Sequence, residues 1–135
     1  MATTTATLTL SSSDLTGDSL ALSTTATLTK AGVLTGLDQT TGVARKFYAA
    51  EQTDTKLIDK ADFTDAKAHK VYIKNISATA SESVMIQLND GVATVELGLL
   101  YAGDWCFLPY DGTADIEIDT SAVNMTVEYL VIYEA

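Results

Sequence analysis

The feature that most constrains this chain is a peptide that alternates with a period of two and occurs twice near its beginning. Residues 5–10 read TATLTL, and residues 25–30 read TATLTK. Successive side chains of a β-strand point to opposite faces, so this period predicts strands rather than helices. Residues 11–18, SSSDLTGD, separate the two segments and are rich in turn formers. The pattern predicts either a hairpin with a long loop or two strands that belong to different sheets.

The first 46 residues contain no aromatic residue, and all ten aromatic residues lie from Phe47 onward. Aromatic side chains bury the most apolar surface per residue, and a lone two-stranded ribbon is marginally stable in water. We therefore predict a Thr-rich N-terminal arm or hairpin over residues 1–46 and a β-sandwich core over residues 47–135, within one domain. The arm is expected to pack on a neighbouring subunit; the alternative is packing on the chain's own core. The apolar residues assigned to a subunit or shell interface are Leu8, Leu10, Leu20, Leu22, Leu28, Leu130 and Ile132.

Residues 70–133 contain short apolar alternating segments that are separated by turn signals at 89–91, 101–104 and 110–112. Strands at this spacing predict an all-β fold, namely an antiparallel β-sandwich or jelly-roll-like core with an extended N-terminal β arm. The residues predicted to form the core are Val71, Ile73, Val84, Ile86, Leu88, Trp105, Phe107, Ile116, Ile118 and Tyr129.

Three other segments carry more specific expectations. Residues 104–109, DWCFLP, are apolar at successive positions, which predicts a strand buried on both faces and makes Cys106 a small buried hydrophobe rather than a reactive thiol. The last segment, residues 125–133, also becomes apolar on both faces and is predicted to be central or covered by another chain. Residues 51–68 are the most charged part of the chain and predict either a short helical turn or a strand with loops.

The net charge of −10 and the pI near 4.2 argue against nucleic acid as a partner, because phosphate binding needs clustered Lys and Arg. Residues 1–68 carry 6 basic and 8 acidic groups, a balance of −2, and residues 69–135 carry 2 basic and 10 acidic groups, a balance of −8. This asymmetry favours a solvated acidic face; the alternative is steering toward a basic partner surface.

Few residues of the chain suggest chemistry. The one histidine, His69, has no nucleophile or second histidine nearby in sequence, which predicts a surface residue rather than a catalytic one. Asp115, Glu117 and Asp119 share one face of a predicted strand, but calcium takes six to eight oxygens, usually from a tight loop, so a flat stripe predicts a calcium site only if the turn at Asp111 adds ligands. A glycosidase pair of carboxylates is a further alternative. Phosphate-binding glycine motifs are absent. We expect no enzyme activity, metal or cofactor.

The N-terminal residues predict no secretory signal, since they lack a basic region and a continuous apolar stretch. No run of 18 apolar residues occurs, so no membrane partner is expected. Folding in a cytoplasm follows as the expectation.

Three motifs together resemble small structural proteins of tailed bacteriophages, particularly those of marine and cyanobacterial phages. They are KVYIKN at residues 70–75, LGLLYAGDWCFLPYDG at 97–112 and VEYLVIYE at 127–134. In that family similar motifs begin the core, form a central hairpin and make the last strand, and the Thr-rich opening is similar as well. The resemblance spans most of the chain, and its motifs concern structure rather than chemistry.

The resemblance implies a virion component with a β-sandwich fold, assembled in the host cytoplasm. The resemblance does not decide between the capsid and the tail. The aromatic-free, strand-patterned first 46 residues favour a capsid decoration or cement protein, a homotrimer that bridges subunits of the major capsid protein. A strand-patterned arm suits such a role, because added strands pair through the main chain. The alternatives are a tail or head–tail connector component, which would contact other virion proteins, and a ligand- or receptor-binding sandwich module.

Overall fold

The computed structural model describes residues 2–15 and 17–135, so Met1 and Thr16, which lies in the predicted loop 11–18, are outside the described residues. Apart from one 3₁₀ turn at Lys60–Asp62, the regular structure of these residues is β-strand, and all strand pairs are antiparallel, which confirms the all-β prediction. The strands are β1 (Thr5–Ser12), β2 (Leu20–Thr27), β3 (Gln39–Thr40), β4 (Ala44–Tyr48), β5 (Thr55–Ile58), β6 (His69–Asn75), β7 (Ser83–Asn89), β8 (Thr94–Tyr101), β9 (Trp105–Tyr110), β10 (Asp115–Thr120) and β11 (Met125–Tyr133).

The chain divides into two compact units, Met1–Asp38 and Gln39–Ala135. The division therefore falls before the predicted boundary at residue 46. The reason is that β3 and β4 both pair with β11, so residues 39–48 contribute strands to the second unit. β3 is only two residues long and lies in a stretch rich in glycine and threonine, so no alternation marks it in the sequence.

In the first unit, β1 and β2 form a two-stranded hairpin in a continuous register that pairs Thr5 with Thr27 and Ser12 with Leu20. The hairpin alternative from the sequence is therefore the one that the structure adopts. Beyond β2 the chain turns back once more, and the Leu37 N–H donates to the Leu28 carbonyl at 2.9 Å. An ion pair of 2.7 Å between Lys30 and Asp38 closes this second turn.

The second unit contains a four-stranded sheet in the order β5-β10-β7-β8 and a five-stranded sheet in the order β3-β11-β6-β9, in which β4 also pairs with β11. Buried apolar side chains from both sheets form one hydrophobic cluster, as expected for a β-sandwich. Of the predicted core residues, the fully or nearly fully buried ones are Val71, Ile73, Val84, Ile86, Ile116 and Ile118. Leu88 and Tyr129 are partly buried and pack against this cluster.

The prediction that residues 104–109 are buried on both faces is wrong. Trp105 is 52% exposed and Phe107 39% exposed, so neither is a core residue. Both lie on β9, which among the described strands pairs with β6 alone and forms an edge of its sheet. One face of β9 packs on the core through Cys106 and Leu108, and the other face carries the two aromatic side chains. Cys106 is a free thiol that is partly buried, and burial raises its pKa.

The last strand, β11, lies inside its sheet between β6 on one side and β3 and β4 on the other. Its sequence, apolar on both faces, predicted either a central strand or a strand covered by another chain. The fold places β11 in a central position. Residues 51–68 contain both of the predicted elements, because β5 is followed by the 3₁₀ turn, whose first free N–H, at Ala61, is capped by the Asp59 carboxylate at 2.9 Å.

Candidate assembly surface

The β1–β2 hairpin has one apolar face and one hydroxyl face. The register places Leu8 opposite Thr24 and Leu10 opposite Leu22 on one face, together with Leu20. On the other face, the hydroxyl of Thr7 lies 2.8 Å from that of Thr25. We call the first the leucine face; its four leucines, Leu8, Leu10, Leu20 and Leu22, are 37%, 41%, 38% and 44% exposed.

Neither hairpin strand carries a charged residue, and nearly every position of both is exposed. Isolated exposed leucines are ordinary, but a set of four on one face of an uncharged ribbon leaves a continuous apolar strip in water. The strip therefore has the composition of a surface that becomes covered in an assembly.

The other residues assigned to an interface from sequence lie elsewhere. Leu28 is 4% exposed, so the expectation that it contributes a free contact surface is wrong. It lies after β2, where its N–H donates to the Thr4 carbonyl at 2.8 Å and its carbonyl accepts from Leu37. Leu130 and Ile132 are half-buried on β11, paired with Tyr72 and Lys70 of β6. Their place in an interior strand leaves side-chain surface, but no open main-chain edge, for a partner.

A second exposed apolar set, which the sequence analysis missed, lies on β8. Val95, Leu97, Leu99 and Tyr101 are 55%, 50%, 45% and 49% exposed, whereas Leu100 is buried. The register shifts between Ile86 and Gln87, which leaves Leu97 as an extra residue in the β8 ladder. The sequence signal was present, because apolar residues occupy successive positions around this bulge and cannot all face one core.

One corner of the sandwich is held by Asn75 at the end of β6. This side chain is fully buried, and its amide nitrogen donates to the carbonyls of Glu82 at 3.1 Å and Leu100 at 3.0 Å. Its side-chain oxygen accepts the N–H of Ser77 at 3.0 Å. Buried amides that satisfy several main-chain groups fix the chain around them. Asn75 thereby ties β6 to the β8–β9 connection.

The β8–β9 turn completes this corner. The N–H of Asp104 donates to the Tyr101 carbonyl at 2.9 Å, and the Asp104 carboxylate accepts the N–H of Tyr101 at 3.0 Å. Gly103 has a φ of 84°, a conformation that glycine adopts without strain, and its N–H donates to the Asn75 carbonyl at 2.9 Å. The asparagine and the glycine–aspartate pair of the motifs at 70–75 and 97–112 thus have structural roles.

The prediction of a surface His69 is wrong, because its side chain is fully buried. Nδ1 accepts the N–H of Glu134 at 3.1 Å, so the proton resides on Nε2, which lies 2.9 Å from the Thr64 carbonyl. The ring also packs against Phe63 and Tyr110, with centroid distances of 5.6 and 5.9 Å. His69 and Asn75 share the parity of Val71 and Ile73 along β6, and that parity was the missed signal.

The three alternating carboxylates of β10 are engaged by donors of this chain. Asp115 accepts the N–H of Lys60 at 2.8 Å and forms an ion pair of 3.0 Å with Lys56. Both oxygens of Glu117, which is 6% exposed, accept from the Asn89 amide at 3.0 and 3.1 Å. Asp119 accepts the N–H of Asp54 at 2.6 Å. Within residues 2–15 and 17–135, no three His, Cys, Asp or Glu side chains form a group that could hold a metal ion.

A depression of about 410 Å³ lies beside Tyr110 and Pro109. Its two lysines are occupied: Lys67 pairs with Glu134 at 3.1 Å, and Lys70 donates to the carbonyls of Ala68 and His69 at 2.9 and 3.2 Å. Asp111, which also lines the depression, accepts the N–H and the hydroxyl of Thr113 at 3.0 and 2.7 Å, so these three charged side chains are engaged within this chain. Among the described residues, the exposed apolar surfaces of the hairpin and of β8 are therefore the candidate functional site.

In the part of the chain that the structure describes, no helix has the length and apolar character needed to cross a bilayer. Comparison with protein-family models, with curated proteins and with solved structures finds no match for this chain.

Proposed function

We propose that this protein is a non-enzymatic structural subunit of a phage virion, most specifically a capsid decoration protein that acts as a homotrimer and bridges subunits of the major capsid protein. The observation that carries the proposal is the uncharged β1–β2 hairpin with its exposed leucine face. A subunit that joins neighbours needs apolar surface and open strand edges in this form, because main-chain pairing supplies affinity without a chemical site.

The sequence motifs support the same proposal. The roles of Asn75, Gly103 and Asp104 concern the shape of one corner of the sandwich, so a resemblance through these residues is a resemblance of architecture. The engagement of both ring nitrogens of His69 by main-chain groups also favours a structural role for that residue over a catalytic one.

A test uses two neighbouring positions on β1 that lie on opposite faces of the hairpin. Leu10→Asp places a charge on the leucine face, and Ser11→Asp places the same charge on the exposed hydroxyl face. Each variant and the native protein are mixed with empty capsids of the phage that encodes the chain, and binding is measured by co-sedimentation. We expect native protein and Ser11→Asp to sediment with the capsids and Leu10→Asp to lose most binding. Native protein that stays in the supernatant would overturn capsid decoration.

A tail or head–tail component is the second candidate, and the hairpin itself favours it. Tail-tube subunits pair strands with their neighbours and would use a hairpin with an apolar face, such as the leucine face of β1 and β2. The two candidates differ in how self-association ends. A decoration protein closes into a small oligomer, whereas a tail subunit polymerises. Electron microscopy of the concentrated protein distinguishes rings or compact particles from filaments or tubes.

A further inference from the structure

The sheet edges of the second unit are not equally protected against strand addition. The β5 edge is four residues long and carries Lys56, and the β9 edge contains Pro109. The β3 and β4 edge consists of strands of two and five residues and carries Arg45 and Lys46. Shortness, lysine and proline are the usual means of blocking an edge. The β8 edge is eight residues long, contains no proline, and has Glu96 as its one charge.

The exposure of β8 fits an edge that receives a partner. Within the described residues, β8 pairs with β7 alone, and Asp104 engages the N–H and the carbonyl of Tyr101, so the unpaired main-chain groups on its other side lie before Tyr101. Four apolar side chains, from Val95 to Tyr101, are each about half exposed along the same strand. A long edge of this kind is a template for another strand unless an assembly covers it.

The hairpin of a second copy matches this edge. β1 and β2 are each eight residues long, as β8 is, and among the described strands each pairs with the other alone, so both present an open edge. Charge distinguishes the hairpin from a second β8 as the occupant. Residues 39–135 carry seven basic and fifteen acidic groups, 7 − 15 = −8, and a β8–β8 pair would bring two such units and two copies of Glu96 together. The hairpin strands bring no charge.

We propose that a strand of the β1–β2 hairpin of one copy pairs with the β8 edge of a second copy. The hairpin's two strands and the acceptor's four-stranded sheet then form one six-stranded sheet. On one side of the combined sheet the leucine face lies beside Leu99 and Tyr101, which share a face of β8, and main-chain hydrogen bonds fix the register. This inference rests on the proposed self-association and does not depend on the capsid.

The contact joins two different surfaces. An open chain of copies therefore ends in a free hairpin at one end and a free β8 edge at the other until the assembly closes. Such a head-to-tail interface gives a closed ring when the rotation per copy completes a circle, and an open filament when it does not. A closed ring of three copies is the form that the proposed decoration role requires. The same strand pairing in a filament is the form that a tail component requires.

The test is disulfide mapping between two distinguishable copies of the full chain. The native thiol is removed with Cys106→Ser, and Leu10→Cys is placed on a copy with one affinity tag and Leu99→Cys on a copy with another. The copies are mixed, oxidised mildly and separated without reductant. We expect a disulfide-linked product that carries both tags. The control replaces Leu10→Cys by Leu34→Cys, because Leu34 is 94% exposed and lies in the second turn of the first unit. The product with Leu10→Cys should exceed the control product at least tenfold.

Each other outcome has a definite meaning. Leu99→Cys copies that link mainly to one another would show β8–β8 pairing and overturn the proposal. A further chain carries both Leu10→Cys and Leu99→Cys. If this chain closes only on itself, and no product forms between tagged copies, the strands pair within one chain and the proposal is overturned as well. Mixed-tag products at the level of the Leu34→Cys control would mean that the hairpin does not meet β8.

A second variant separates this inference from the proposed function. Leu99→Lys places a charge on the β8 edge, and Val92→Lys places the same charge at a 94% exposed position in the β7–β8 turn. We expect Leu99→Lys to reduce the oligomer to monomer by light scattering and Val92→Lys to leave its mass unchanged. An oligomer that survives Leu99→Lys contradicts strand addition at β8. A native oligomer that Leu99→Lys dissociates, but that does not bind capsids, leaves strand addition standing and overturns only the decoration role.

Discussion

Replacement of Asn75 by alanine tests the claim that one buried amide holds the corner between β6, β8 and β9. The substitution removes three hydrogen bonds, to the carbonyls of Glu82 and Leu100 and from the N–H of Ser77. A protein hydrogen bond contributes about 1 kcal/mol net, and each partner left unsatisfied in the interior adds to the loss. We therefore expect Asn75→Ala to lower the free energy of unfolding by about 3 kcal/mol.

The assay is urea denaturation followed by tryptophan fluorescence at a fixed protein concentration, because self-association contributes to measured stability. With a urea slope of about 1.5 kcal/mol per molar, the expected loss lowers the midpoint by about 2 M. Asn124→Gly is the matched control, since Asn124 is exposed and its φ of 58° is one that glycine adopts without strain. An Asn75→Ala midpoint equal to that of the control would refute the reasoning.

Asn75→Asp extends the test by keeping the shape and changing the charge. A carboxylate in this position would face the carbonyl oxygens of Glu82 and Leu100, and burial beside these dipoles favours its protonated form. We expect the aspartate variant to be less stable than the alanine variant at pH 7. The difference between them should shrink at acidic pH, where the carboxyl is protonated and can donate to one of the carbonyls.

Three further predictions concern single residues. Gly112→Ala should lower the free energy of unfolding by about 2–4 kcal/mol, because Gly112 has a φ of 83° and an added Cβ would lie 2.7 Å from the Thr64 carbonyl oxygen. The control is Gly42→Ala, at a φ of 72° with open space, which should cost about 1 kcal/mol in urea denaturation. Equal losses would contradict the contact with Thr64. Burial raises the pKa of Tyr48 to about 12 from 10.0, so the stability that its neutral phenol contributes is present below pH 10 and is lost as the pH rises to 12. Because the Tyr48 hydroxyl has no hydrogen-bond partner among the described residues, Tyr48→Phe should be neutral or stabilising at pH 7 and should flatten this alkaline loss; a destabilised variant would contradict the burial argument. Burial also raises the pKa of Cys106, so a disulfide reagent should modify the folded protein more slowly than the urea-unfolded chain, and equal rates would show an open thiol.

Local alternation predicted much of the fold, because the side-chain period of a strand is set by its own backbone. Val71 and Ile73 on β6 and Ile116 and Ile118 on β10 are buried as their spacing predicts. The same period predicted the two strands β1 and β2, and their pairing as a hairpin, one of the two predicted arrangements, places Leu10 on the leucine face. For these strands the period alone identifies the inward residues.

The errors come from properties that depend on distant strands. Trp105 and Phe107 were expected in the core because their segment is apolar, but β9 lies at a sheet edge, and edge position depends on pairing with β6. The exposed residues of β8 were missed for the same reason. A bulge at Leu97 changes which β8 side chains face the core, and it depends on the pairing with β7. The chemistry of His69 predicts a surface residue, whereas its parity with Val71 predicts a buried one. Burial of this polar side chain requires partners from other segments, here Thr64 and Glu134.

The mass of the full-length protein in solution shows whether the exposed strands of one copy are covered by another. Light scattering over a range of protein concentrations gives this mass without labels or variants. We expect a species near three times 14.3 kDa that forms as the concentration rises. A mass of 14.3 kDa at every concentration would contradict it, because the leucine face and the β8 edge would then remain exposed in the functional protein.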